Sequence, residues 1–395
     1  MTTLAQRPAV NPDDEQRPAD SAADAVQPRV PGLASDGGPR RRPEHAAHLS
    51  DEDVAALGAE LDELRARIVA SRGAADAAYI RRAIRLHRTM ELAGRATLVL
   101  AGRHKAAWVL GTGLMATAKI IENMEIGHNV IHGQWDWMRD PDIHSSTWEW
   151  DFVAPAKGWK HTHNDLHHTW TNVIGKDSDV GYDLLRVSPD QPWKPHNLLN
   201  PVFNMVLAPF FEWGIALYDI ETVKMRSGEK PREEWAADVR ALGVKAGRQF
   251  AKDYVATPLV ASLTGSGKAA LAGTFAANSI RNLWAHTVIF CGHFPDGVEF
   301  FTEDMIEGET RGDWYIRQMI GSCNISGGRL MHFMTGNLSH QIEHHLFPDL
   351  PSNRYAEIAV VVRDLCERYR LPYVEGPLHR QIGQTWRTIF RLALP

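Results

Sequence analysis

His340-Gln341-Ile342-Glu343-His344-His345-Leu346-Phe347-Pro348 is the stretch on which the reading of this chain turns. On a helix, adjacent residues point about 100° apart, so His344 and His345 suit two different metal ions. His340, four before His344, shares its face and is the preferred further ligand; Gln341, three before it, offers a weaker oxygen donor. The spacing recurs upstream as His128-x3-His132 and as His163-x3-His167-His168. Side chains at i and i+4 lie on one helix face, so each pair can serve one cluster. Thirteen of the nineteen histidines fall in two windows, seven in 128–168 and six in 286–345. Neutral imidazole is the commonest protein ligand for iron, copper and zinc. A structural zinc site needs only about four ligands. The surplus therefore implies two metal ions close together, bound almost wholly by nitrogen.

Between the second and third boxes, Asn278-x3-Asn282-x3-His286-x6-His293 keeps helical spacing. His286 and His293 are two turns apart on one face and both are candidate ligands. His293 is favoured because Gly292 and Phe294-Pro295 mark a sharp exit from the helix. Asn282 is placed to hold a metal-bound water. Groups that orient ligating imidazoles are expected nearby; the candidates are Gln341, Asp165, Glu343, Glu122, Glu125, Asp136, Asp179 and Asp183. His161 falls on the opposite side of its helix from His163 and is a weak candidate. His144, His196 and His332 have no partner at useful spacing.

The bulk composition narrows the classes. With 395 residues and a net charge of -5, the chain gives no reason to expect nucleic-acid binding. Cys291, Cys323 and Cys366 fit no disulfide framework or iron–sulfur spacing. No GxGxxG fingerprint or haem motif appears, and residues 1–18 have no apolar core of a signal peptide. A mean hydropathy of -0.30 reads as soluble, and no window gives about twenty uninterrupted apolar residues, the usual spanning length.

Organisation along the chain points the other way. Residues 1–48, rich in Pro, Asp, Ala and Arg, are expected to be a disordered tail. Ser50 and Asp53 resemble a capping box before a helix over 51–71, and a second helix is expected from about Ala75. Two apolar hairpins follow, at about 92–126 and 254–290, turned at Arg103-His104-Lys105 and at Gly265-Ser266-Gly267-Lys268. Their first arms, each about eleven residues, reach only half a bilayer unless polar neighbours are drawn in. Both hairpins end in histidines, which puts the boxes on one face. Lys224, Arg226, Lys230, Arg232, Arg240, Lys245, Arg248 and Lys252 place 221–252 in the cytoplasm. For 198–220 an interfacial helix with Trp213 and Tyr218 at headgroup depth is preferred over a span. The expected fold is all-α: four transmembrane helices in two hairpins, cytoplasmic helices over 51–90, and a cytoplasmic cap (127–197 and 291–395) holding a histidine-ligated dimetal site.

On these boxes the chain resembles the membrane fatty-acid desaturases. His128-x3-His132, residues 164–172 (NDLHHTWTN) and residues 341–348 look like that family's three histidine boxes. The similarity is strongest to its mycobacterial acyl-CoA Δ9 branch and runs from about residue 49 to the end, through 119–129 (KIIENMEIGHN), 288–297 (VIFCGHFPDG) and 336–354 (GNLSHQIEHHLFPDLPSNR). The first box departs from animal Δ9 enzymes, which have four intervening residues. The QIEHH form also occurs in front-end desaturases, whose HPGG haem motif is absent here. The resemblance implies a membrane oxidoreductase of fatty-acid biosynthesis: two iron ions, O2 as co-substrate, and a cis double bond inserted into a long-chain acyl-CoA such as stearoyl- or palmitoyl-CoA. It implies ligation by His128, His132, His163, His167, His168, His344 and His345, completed by His293 or His286. Electrons are expected from a separate NADPH-dependent reductase or ferredoxin-type donor, and the active site is expected on the cytoplasmic face of the cell membrane. Trp135, Trp137, Trp148, Trp150 and Trp170 are candidate walls of an acyl tunnel; Lys157, Lys160, Arg186 and Lys194 are candidates for the CoA end. A hydroxylase or ketolase on the same diiron scaffold is the alternative.

Overall fold

The computed structural model describes residues 42–177 and 179–395 and is mostly helical. Most of the tail expected over 1–48, and the Asp183 side chain, lie outside the described residues. Residues 42–48, grouped with the tail by composition, lie against the body: Arg42 donates to Asp313 at 2.9 Å and to the Leu49 carbonyl at 2.8 Å.

Helix α1 (Asp51–Ser71) begins at the expected capping box. Ser50 Oγ accepts from the Asp53 N–H at 3.1 Å and the Asp53 carboxylate accepts from the Ser50 N–H at 2.9 Å. Helix α2 (Ala74–Ala101) is a single helix of 28 residues, about 42 Å long. The expected second helix and the first hairpin arm are thus one rod, which removes the short-arm difficulty. After a turn, α3 (Lys105–Ile120) runs through a π-helical turn, Ile121–Gly127, into His128–Ile131. Further on, α4 (Arg232–Phe250) passes through a second π turn, Ala251–Ala256, into α5 (Thr257–Ser262) and returns as α6 (Gly267–His293).

These arms close into a bundle in which α2 packs on α3, α3 on α6, α6 on α5 and α5 on α2. Small residues allow the approach. A Cβ on Gly94 would meet Met115 at 2.8 Å, and one on Gly111 would meet Leu98 at 2.9 Å. The two turns meet at one end, where the Arg103 N–H donates to Ser266 Oγ at 3.3 Å and Trp108 Nε1 to the Ala269 carbonyl at 3.0 Å. The histidine-bearing ends therefore converge at the other. Large apolar side chains face outward near the turns, Leu100 at 67% and Leu263 at 88% exposure.

The cap follows as α7 (Arg311–Ile320), α8 (Gln341–Leu346), α9 (Tyr355–Arg368) and α10 (Leu378–Arg391). The stripe Leu57, Leu61 and Leu64 of α1 shares one buried cluster with Trp314, Phe347 and Ile358. The described residues depart from all-α in a short parallel pair, β1 (Asn324–Ser326) with β2 (Glu375–Pro377), in register Asn324 to Glu375, and in a single parallel bridge from Val173 to Phe301.

Among the described residues one helical run, Pro195–Ser227, is long and apolar enough to cross a membrane. It is not a straight rod. It breaks at Ala208–Phe210 and again at Glu221, whose φ is 50°. The bundle helices fall short of that standard, and four of the charges that lower their hydropathy turn inward and are paired. Lys119 Nζ lies 2.8 Å from Asp151 and 3.0 Å from Asp253; Arg95 lies 2.9 Å from Asp253, and Arg281 2.7 Å from Glu212. A buried charge left without its partner is costly. Asp253→Asn removes the negative charge that Lys119 and Arg95 share and leaves one acceptor oxygen for the two of them, so the variant should lose about 3 kcal/mol of stability. A melt of the purified chain beside the exposed control Asp364→Asn checks this; coincident melting curves would refute it.

Candidate metal centre

The first box is carried at the end of α3, just past its π turn, which buries His128 and His132. The second rides on another π-helical segment, Lys160–His167, followed by His168–Trp170. The i→i+5 bonding of a π turn widens the helix and occurs often at functional sites. Here it nearly eclipses residues four apart: the His163 and His167 rings stack at 4.9 Å and 25°. The His167 and His168 rings diverge at 75°. The third box lies on α8, and His293 is the last residue of α6.

Two groups result. His128, His132, His163 and His344 bring four ring nitrogens within 4.8 Å of one another, and His167, His293 and His345 bring three. His168 stands between them, its ring 4.7 Å from His132, 4.8 Å from His344 and stacked on His345 at 4.5 Å. The Nε2 atoms of His132, His163 and His344, and both ring nitrogens of His168, are buried without a hydrogen-bond partner. In the second group the Nε2 atoms of His293 and His345 face each other at 3.3 Å. Orphaned, converging nitrogens are what a cation would satisfy, so the donor set fits metal.

The opposite ring edges are held from outside. Asp179 lies 3.1 Å from His163 Nδ1, Asp177 2.9 Å from His167 Nδ1, Tyr355 Oη 3.2 Å from His344 Nδ1 and Gln318 Oε1 3.2 Å from His345 Nδ1. Such contacts fix the tautomer that leaves Nε2 free to bind. Burial, reinforced by the neighbouring imidazoles, holds His132, His163, His168, His344 and His345 well below the ordinary histidine range. Burial likewise pushes His128 down to about 4. His167 is the exception: burial acts to lower it, but Asp177 and Asp179 raise it on balance. Neutral imidazole is the ligating form, so the balance of burial and charge favours that form at every one of these rings but His167.

Several candidates from the sequence lie elsewhere. His286 bonds Asn204 Oδ1 at 2.9 Å and stacks on Phe290 at 3.9 Å. Seven residues of helix put it about 10 Å along the axis from His293. His340 precedes α8 with φ -103° and ψ 58°, so helical periodicity does not carry it onto the face of His344; its ring stacks on His332 at 4.6 Å. Gln341 takes the inward position instead, with Nε2 3.1 Å from His293 Nε2. Asn282 donates to the Pro209 carbonyl at 3.0 Å. Glu343 turns away to Asn324 and Tyr373, at 2.8 and 3.0 Å. Asp165 is exposed beside His161, whose contacts with Asp165 and Glu221 raise its pKa to about 9 and hold it outside the group. Asp177, Gln318 and Tyr355 were not foreseen, because they approach from loops and distant helices with no shared period.

Beside the first group lies a narrow cavity of about 40 Å³, walled by Trp150, Trp159, Phe152, Phe211, Ile215 and Ile289, with His128 and His163 at its edge. Of the five candidate tryptophans only Trp150 lines it. Trp135 stacks with Tyr79, Trp137 lies under Arg72 and Trp170 under Lys176, while Trp148 borders a separate polar groove. Trp159, unforeseen as a wall, stacks on His163 at 4.3 Å. Among the CoA candidates, Lys160 donates to the Ser145 carbonyl at 2.7 Å and Arg186 to the carbonyls of Gln191 and Leu394 at 2.8 and 3.0 Å.

Comparison with known proteins gives this geometry a lineage. Residues 104–377 match the family model described as Fatty acid desaturase. The NADPH-dependent stearoyl-CoA 9-desaturase of Mycobacterium tuberculosis (strain H37Rv) is 53% identical over 352 residues, covering 88% of this chain and 82% of that protein. The sn-1 linoleoyl-lipid 6-desaturase of Synechocystis is 26% identical over 278 residues, 68% of this chain and 76% of its own. The matched span contains all three histidine boxes and His293. The chain belongs to the fatty acid desaturase family.

Proposed function

We propose that the protein is an O2-dependent acyl-CoA desaturase that places a cis double bond at Δ9 of stearoyl- or palmitoyl-CoA. One observation carries the reading: two buried histidine groups lie side by side, and the first of them edges a narrow apolar cavity. The relative's similarity over most of both chains supports the substrate class. Two iron ions fit the donors, one held by His128, His132, His163 and His344, the other by His167, His293 and His345, with His168 between. Bound there, iron with O2 supplies the oxidation that removes two hydrogens from an unactivated methylene pair, which no side-chain acid or base achieves.

The chain's own residues bind and orient. Each methylene taken from water into the apolar walls contributes about 0.8 kcal/mol. Trp150, Phe211 and Ile289 thereby exclude water and fix which carbons rest against His128 and His163. Asp177, Asp179, Tyr355 and Gln318 keep the rings aimed inward. Electrons come from a separate reductase or ferredoxin-type protein. The two hairpins of the bundle span the membrane, the outward leucines meet lipid, the run 198–220 lies in the interface, and the histidine end faces the cytoplasm.

Metal analysis of the purified chain should give two irons, and stearoyl-CoA with O2 and a reductase should yield oleoyl-CoA. A hydroxylated product would overturn desaturation while keeping the scaffold; zinc without oxygen uptake after iron loading would overturn both. His344→Ala should lose at least one iron, whereas His340→Ala should retain both; iron counts that move the other way would reverse the ligand assignment. Asp177→Asn should weaken iron retention about 10–100-fold in a chelator competition.

A further inference from the structure

Helix α10 takes no part in the metal centre or the cavity beside it. From Leu378 to Pro395 the chain has no acidic residue and carries Arg380, Arg387 and Arg391. One face is packed, with Gln381, Thr385 and Ile389 buried. The three arginines are exposed on the other, together with Phe390 at 58% and, just past the helix, Leu394 at 60%. Arg387 reaches Asp296, while Arg380 and Arg391 have no ion pair among the described residues.

A second observation says what this face adjoins. The segment Asn200–Leu207 packs beside α10 and exposes Val202, Met205 and Val206, part of the one helical run among the described residues that is long and apolar enough to cross a membrane. Arg186 ties the two together. Its N–H donates to Asn200 Oδ1 at 3.3 Å and its guanidinium to the Leu394 carbonyl at 3.0 Å, while Trp193 Nε1 donates to the Ala393 carbonyl at 3.0 Å. Phe390 and Leu394 thus sit next to an apolar patch, bordered by cations. The cleft that α10 does line, with Phe294 and Phe300, shares no residue with the cavity at His128.

We propose that α10 is a docking face for the anionic headgroups of the surrounding bilayer. Phe390, Leu394, Val202 and Met205 enter the acyl boundary, Arg380 and Arg391 hold lipid phosphates, and Arg387, paired with Asp296, adds to the positive field of the face. An amphipathic helix with aromatic and basic residues binds an interface in this way, and the guanidinium fork matches phosphate. Each arginine near an anionic surface strengthens binding about fivefold. The proposal rests on the membrane reading above.

Hydrogen exchange of the full chain in nanodiscs tests it, comparing phosphatidylcholine alone with a phosphatidylcholine–phosphatidylglycerol mixture. Amides 378–395 should exchange more slowly in the mixture. The triple variant Arg380→Gln, Arg387→Gln, Arg391→Gln should lose that gain while keeping its metal and its bundle protection. Equal protection in the two lipids, measured on the unaltered chain, overturns the proposal without relying on the variant. So does a gain that free CoA abolishes, because the phosphate would then be the substrate's. Rapid exchange in the bundle helices inside nanodiscs would overturn the membrane reading itself, and the proposal with it.

Discussion

Bare imidazole nitrogens do not gather of their own accord. His128, His132, His163, His167, His168, His293, His344 and His345 crowd their rings against one another in the buried interior. Such an arrangement persists only if the scaffold over-determines it, since buried polar atoms without partners are costly. Each holding group comes from a different place: Asp177 and Asp179 from a loop, Gln318 from α7, Tyr355 from the start of α9. The cap has to fold as one unit for the rings to stay aimed, which explains why α1, α7, α8 and α9 share a single core.

Much of this was legible in the sequence. The boxes were found from i, i+4 spacing, which survives in π-helical as well as α-helical backbone, so the helix type did not matter. Periodicity failed where the backbone stops being helical. His340 lies one residue before α8, and the periodic argument that favoured it over Gln341 stops at that boundary. His286 failed for a different reason: sharing a face with His293 says nothing about height along the helix. Groups such as Asp177 and Gln318 left no trace, because their relation to the histidines is tertiary.

The hydropathy signal was weak for a physical reason too. Arg95, Lys119, Asp253 and Arg281 depress the average of the bundle helices, yet the structure turns them inward as ion pairs. A sliding average sees the charge and not the partner. The continuous 28-residue α2 likewise hid behind a composition change near residue 90, where a polar helix becomes an apolar one without a break.

One side chain joins the two ends of the cap. The Asn324 carbonyl accepts from Gln381 of α10 at 2.7 Å, and its amide side chain accepts from the Ile342 N–H at 2.9 Å and donates to Glu343 at 2.8 Å. Asn324 also opens the strand pair that leads into α10. A displacement of the C-terminal helix is therefore felt two residues from His344. A continuous hydrogen-bonded path thus runs from Gln381 of α10 through Asn324 to the backbone of the third box. The C-terminal helix and the third histidine box are thereby hung from one asparagine, so neither can be repositioned without rebuilding the joint between them.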